Sequence, residues 1–148
     1  MADAIDLDFM RHAIEVSKSA PARPNCFRVG AVLVDNKRRL LSTGFTLEFG
    51  DGWHAEAAAI KKAREAKLKI YGATIYSSLE PCSIRKSGGK DCAALLIENG
   101  IAQVFYAAAE PPIFVNCQGE RKLKEAGIKV EKLEELEASF REINKHLF

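Results

Sequence analysis

Apolar positions recur along this chain in two periods, near 3.6 residues and near 2, and the switching between them predicts alternating helices and strands. Phe9, Met10, Ala13 and Ile14 share one face of a first helix, which starts near an Asp6 or Asp8 cap, while Arg11, His12 and Lys18 lie elsewhere. Residues 20–25 hold two prolines and read as a loop. An apolar run over residues 29–35 suits a buried strand and residues 40–45 form a second, with Asn36-Lys37 between them as a hairpin turn. Residues 54–66 are alanine-rich, with basic residues gathered late, as a helix prefers. A third strand over 73–79 runs into a loop containing Pro81 and Gly88-Gly89. Residues 92–98 form a helix closed by Asn99-Gly100, and residues 101–109 a strand ended by Pro111-Pro112. A short helix over 119–126 stops at Gly127 and leads into a strand over 128–131. Leu133, Leu136, Phe140, Ile143 and Leu147 then fall on one stripe of a last helix.

A hairpin followed by strand–helix–strand–helix–strand predicts an α/β fold with helices on both faces of one mixed sheet. Right-handed crossovers leave a crevice at the C-terminal ends of the parallel strands, where the loop after Leu79 opens. The 148 residues fit one domain, 1–148, and 47% hydrophobic with 28% charged residues excludes disorder for the bulk of it. Basic and acidic residues number 22 and 20 and are spread along the chain, which gives no support to a nucleic-acid footprint. No run of apolar residues is long enough for a membrane span. Residues 1–10 carry three Asp and no basic residue, so they do not read as a leader, and a cytoplasmic protein is expected. In that setting the four cysteines, 26, 82, 92 and 117, read as reduced thiols or metal ligands rather than disulfides.

The chemistry gathers in two stretches, His54-Ala55-Glu56 and Pro81-Cys82 followed by Cys92. One imidazole and two thiolates make a three-ligand site with an open fourth position, which suits catalytic Zn²⁺. His54 and Glu56 stand about 200° apart around a helix. They converge only on a point off the helix's N-terminal end, and Cys92 at the start of the next helix has the same placement. Two thiolates leave the zinc less acidifying than three histidines do, so a carboxylate is needed to carry the proton, and Glu56 is the catalytic candidate. The first half resembles, residue for residue, the H-x-E of the H-x-E and P-C-x-x-C pattern of zinc nucleobase deaminases, and the second half departs from it, with a cysteine spacing of ten positions instead of three. The alternatives are that Cys82 and Cys92 are small buried apolar residues, or that Cys26 or Cys117 closes a structural site. Cys26 and Cys117 read as core residues, and His12 and His146 as solvated. Trp53 reads equally as a stacking wall for a heterocycle and as packing around the site.

The loop between the cysteine ligands carries Arg85, Lys86 and Lys90 against Asp91, a net +2, and Ser87-Gly88-Gly89. It reads as a clamp for a phosphomonoester, with solvated charges as the alternative. Asn25 and Glu48 are further substrate-binding candidates, although Asn in a proline-rich loop is commonly a turn residue.

Leu79-Glu80-Pro81-Cys82-Ser83, a Gly-containing loop and then Cys92 resemble the pyrimidine deaminases of riboflavin biosynthesis, within the cytidine deaminase-like zinc superfamily. Val29-Gly30, Glu48 before His54-Ala55-Glu56, Glu110-Pro111 with Phe114-Val115, and Leu123-x-x-Ala126-Gly127-Ile128 extend the likeness over roughly residues 9 to 131. The stretch Ile84-Arg85-Lys86-Ser87-Gly88 is closer to the fungal branch than to the bacterial one, and at this length no reductase domain of the kind bacterial members usually carry is expected, which also favours the fungal type. The resemblance implies a three-layer α/β/α sandwich around a mixed five-stranded sheet, assembled as a homodimer. It also implies Zn²⁺ on His54, Cys82 and Cys92, and deamination of 2,5-diamino-6-ribitylamino-4(3H)-pyrimidinone 5′-phosphate. The rivals are a deaminase of another base or nucleotide, such as cytosine, guanine, dCMP or tRNA adenosine, and an inactive zinc-binding module.

Overall fold

The computed structural model describes residues 2–82, 91–111 and 118–148. Helix α1, Ala4–Ser17, is started by Asp3: its side chain accepts the Asp6 N–H at 3.0 Å, and the Asp6 carboxylate accepts the Asp3 N–H at 3.0 Å. The cap thus lies earlier than the sequence suggests, because Asp6 is the reciprocal partner in the first turn of a capping box.

Strands β1, Gly30–Val34, and β2, Leu40–Phe45, pair antiparallel. The turn between them is held by Asp35, whose Oδ1 accepts the N–H groups of Lys37 and Arg39 at 2.8 and 2.9 Å. After helix α2, Ala55–Glu65, strand β3, Thr74–Leu79, returns beside β1 in antiparallel register. Helix α3, Cys92–Glu98, leads to β4, Gln103–Ala108, and helix α4, Gly119–Glu125, to β5, Lys129–Lys132. Both crossovers produce parallel pairs, giving a mixed sheet of order β2-β1-β3-β4-β5.

The period of 2 divides the sheet's side chains between two apolar layers. Val32, Val34, Tyr76 and Phe105 meet Met10, Ala13 and Ile14 of α1 on one face. Ala31, Leu33, Ile75 and Val104 meet the alanine face of α2 and Ala93 and Leu96 of α3 on the other. Small residues bring α2 very close: a Cβ on Gly44 of β2 would overlap the carbonyl oxygen of Ala55. The first turn of α2 is therefore held against the sheet by backbone contact. That turn carries His54 and Glu56.

The C-terminal segment is not one helix. A 3₁₀ turn, Glu134–Leu136, precedes α5, Glu137–Ile143, and a second 3₁₀ turn, Lys145–Leu147, follows it. Asn144, fully buried, interrupts the run: its Oδ1 accepts the Arg28 N–H at 2.6 Å and its Nδ2 donates to the carbonyls of Arg28 and Phe140. The apolar stripe still packs, with Leu133, Leu136 and Phe140 buried. No helix among the described residues is long and apolar enough to cross a membrane.

Candidate metal centre and active site

The end of β3 and the starts of α2 and α3 meet at one point. His54 is the N-cap residue of α2, with extended backbone at φ −91° and ψ 156°, yet its side chain makes no capping hydrogen bond. The imidazole is turned toward two thiols instead: Nδ1 lies 3.0 Å from Cys92 Sγ and 3.5 Å from Cys82 Sγ. All three ligand atoms lie within 4.8 Å of one another. Tetrahedral zinc, with bonds of about 2.0–2.3 Å, separates its ligand atoms by about 3.3–3.8 Å. The 3.5 Å pair falls in this range and the 3.0 Å pair lies just below it, so this donor set fits the ion in type and needs only a small adjustment in spacing. Cys82 and Cys92 are buried and His54 half-buried.

The start of α3 is wrapped around Cys82. Three successive N–H groups that no helix bond can satisfy find partners there. Cys92 N–H donates to Cys82 Sγ at 3.4 Å, Ala93 N–H to the Cys82 carbonyl at 3.0 Å, and Ala94 N–H to the capping Asp91 Oδ1 at 2.8 Å. The Cys82 thiol is pulled down to about 4, first by the hydrogen bond with the Cys92 thiol and then by His54, against the opposing effect of burial. A thiolate is the form in which cysteine ligates metal.

Glu56 lies in the first turn of α2, two residues after His54, and is buried. Burial pushes its carboxyl upward, the Cys82 charge adds to this, and His54 opposes it. Ser77 Oγ, from the α2 side of β3, is 3.2 Å from Glu56 Oε2. Glu56 is not among the three residues whose ligand atoms gather at this point.

The other residues singled out from the sequence are distributed as follows. Glu48 stands in the turn after β2, its Oε2 bonded to Lys62 Nζ of α2 at 2.6 Å and its Oε1 accepting the Phe45 N–H at 3.2 Å. Asn25 is exposed in a turn closed by a bridge between Arg23 and Cys26. Trp53 packs edge-on against Phe49, with centroids 5.3 Å apart. Cys26 is half-buried, and burial pushes its thiol up. His12 and His146 are exposed. Arg85, Lys86, Lys90 and Cys117 lie outside the described residues.

Three residues around the site carry contacts that the motifs did not single out. Ser77 breaks the apolar run of β3 at a fully buried position, which is its sequence signal. Glu80 is buried, and its two oxygens accept the N–H groups of Glu110 and Glu120. Asp91 caps α3 and also binds Lys122.

The family model of the cytidine and deoxycytidylate deaminase zinc-binding region matches residues 3–108. The chain is 37% identical over 125 residues to a diaminohydroxyphosphoribosylamino-pyrimidine deaminase of Schizosaccharomyces pombe, covering 83% of this chain and 31% of that protein. It spans about a third of the length of the curated relatives it matches. Among solved structures, the Thermotoga maritima diaminohydroxyphosphoribosylaminopyrimidine deaminase/5-amino-6-(5-phosphoribosylamino)uracil reductase superposes with a TM-score of 0.84 at 33% identity. It covers 97% of this chain and 40% of that one. The Aspergillus oryzae Rib2 deaminase in complex with DARIPP superposes with a TM-score of 0.82 at 25% identity, covering 95% of this chain and 90% of that one.

Proposed function

Since the chain belongs to the cytidine and deoxycytidylate deaminase zinc-binding family, we propose that it hydrolyses an exocyclic amine of a phosphorylated aminopyrimidine on the riboflavin pathway. The substrate is 2,5-diamino-6-ribitylamino-4(3H)-pyrimidinone 5′-phosphate and the products are 5-amino-6-(5-phosphoribitylamino)uracil and ammonia. The observation that carries this reading is the His54, Cys82, Cys92 cluster with buried Glu56 beside it. It is supported by a relative named as a diaminohydroxyphosphoribosylamino-pyrimidine deaminase and by a solved neighbour holding DARIPP.

His54, Cys82 and Cys92 would hold the zinc, which when bound lowers the pKa of water so that hydroxide is available near neutral pH. Glu56 does the proton work. Its carboxylate takes the proton of the attacking water and delivers it to a ring nitrogen as the C–O bond forms. It then takes the proton of the newly added hydroxyl and passes it to the amine as the C–N bond breaks and the carbonyl forms, so one water is consumed and one ammonia leaves. A carboxyl pushed upward by burial holds a proton more readily near neutral pH, as a group that takes and returns one requires.

Arg85 and Lys86 bind the phosphate, and Asn25 and Glu48 contribute hydrogen bonds around the pyrimidine. Residues 1–148 act as one deaminase domain that works as a homodimer in the cytoplasm, where thiol ligands stay reduced. The test is ammonia release from the phosphorylated substrate, its dephosphorylated form, cytosine, guanine and dCMP. Turnover of the phosphorylated compound well above the others is the expected result. Equal turnover with and without phosphate overturns the clamp and the nucleotide assignment. Preference for another base selects a different deaminase, and zinc binding without ammonia release leaves a binding module.

A further inference from the structure

We propose that helix α4 is a brace for the two cysteine ligands, fastened by Glu80 and Asp91, and that it sets how firmly the site retains zinc. The inference rests on the zinc reading above. Each of these carboxylates sits in the chain just before a ligand, Glu80 two residues before Cys82 and Asp91 one before Cys92. Each uses its two oxygens on two different partners. Glu80 Oε2 accepts the Glu120 N–H of α4 at 2.9 Å, and Oε1 accepts the Glu110 N–H at 3.3 Å. Asp91 Oδ1 caps α3 through Ala94, and Oδ2 accepts from Lys122 Nζ of α4 at 2.8 Å.

The pattern of ion pairs on α4 sets Lys122 apart. Arg121 pairs with Glu125 and Lys124 with Glu120, both within the helix, whereas Lys122 reaches out to the residue preceding a metal ligand. Glu80 is buried, which is costly for a carboxylate without partners, and both of its oxygens have backbone partners. The two cysteine segments are also joined to each other by the Cys92 N–H on Cys82 Sγ. Tilting α3 or shifting the Glu80 turn therefore moves both sulfurs relative to His54, which is attached to α2 and has no share in the brace. Glu80 and Asp91 are positioning residues: they act on the thiolates through the backbone they hold.

The experiment uses the full zinc-loaded chain and follows zinc transfer to an excess of chromogenic chelator, alongside urea unfolding of the metal-free protein. Lys122→Met and Glu80→Gln should each release zinc about tenfold faster, the low end for residues that support metal ligands. Metal-free unfolding midpoints should stay close to wild type. Lys122→Arg, which keeps a cation in reach of Asp91, should restore slow release, and Arg121→Met should leave it unchanged. Release at the wild-type rate from both Lys122→Met and Glu80→Gln overturns the brace. So does a fall in metal-free stability that matches the loss in the loaded protein, because the effect is then general destabilisation. If Glu80→Gln fails to fold, the partly exposed Lys122 decides the matter alone. A wild-type chain that takes up no zinc fails at the earlier step, removing the metal reading and the brace with it.

Discussion

Ser77 Oγ stands 2.8 Å from the carbonyl oxygen of Leu79 and 3.2 Å from Oε2 of Glu56, so one hydroxyl links the end of β3 to the carboxylate at the start of α2. A hydroxyl has a single proton to donate, and either acceptor can take it. Glu56→Gln should keep the zinc and the fold but lower kcat by at least about a hundredfold, since the amide cannot accept and return a proton. Ser77→Ala leaves the carboxylate in place but less firmly held. It should lower kcat by less than Glu56→Gln does, with KM nearly unchanged. Steady-state kinetics on both variants checks this, and a Glu56→Gln protein that loses its zinc contradicts the separation of base from ligands.

One zinc per chain is expected, and Cys82→Ser or Cys92→Ser should lose metal and stability together, because metal binding and folding are coupled at such sites. Elemental analysis and thermal unfolding of the same preparations give the answer. Full occupancy in either variant removes this site as the metal centre.

Gly44→Ala tests the contact that places the first turn of α2. The added methyl would meet the Ala55 carbonyl and the Ala59 N–H, both backbone atoms that cannot swing aside. Overpacking of this sort costs about 1–3 kcal/mol. Because the displaced turn carries His54 and Glu56, zinc affinity should fall along with the urea midpoint. A stable Gly44→Ala protein with unchanged zinc affinity would show that α2 can move without disturbing the ligand.

Acid should weaken the fold through Asp35 and Asp3. The backbone hydrogen bond from Arg39 is the main cause holding the Asp35 carboxyl below its ordinary 3.8, and the Asp6 N–H does the same for Asp3. As pH falls, the unfolded chain takes up these protons before the folded chain does. The stabilisation is therefore present above 3.8 and is lost as pH drops through the lower folded values. Urea midpoints measured from about pH 6 down to about pH 3 should decline, and less steeply in Asp35→Asn and Asp3→Asn. Parallel declines in the variants and the wild type rule these two groups out as the cause.

Local signals account for what was legible in the chain. The 92–98 helix and the 40–45 strand have the bounds read from sequence, because Asn99-Gly100 and the Asp35 turn act within a few residues of the elements they end. Ligand identity was legible for a similar reason: imidazole and thiol chemistry belongs to the side chain, and the placement of His54 and Cys92 at helix starts follows from nearby residues. The break at Asn144 was not legible, because its partner Arg28 is 116 positions away. Nor were the attachments of Glu80 to Glu120 and of Asp91 to Lys122, which span 40 and 31 positions. Sequence by itself therefore determined the element order and the chemical types available for a metal. Only the tertiary structure decided that a histidine and two cysteines meet, that Glu56 is buried beside them, and that α4 reaches both cysteine segments. Those outcomes depend on how the β2–β3 connection carrying α2 and the β3–β4 and β4–β5 crossovers pack side by side, a global arrangement that no short window of residues contains.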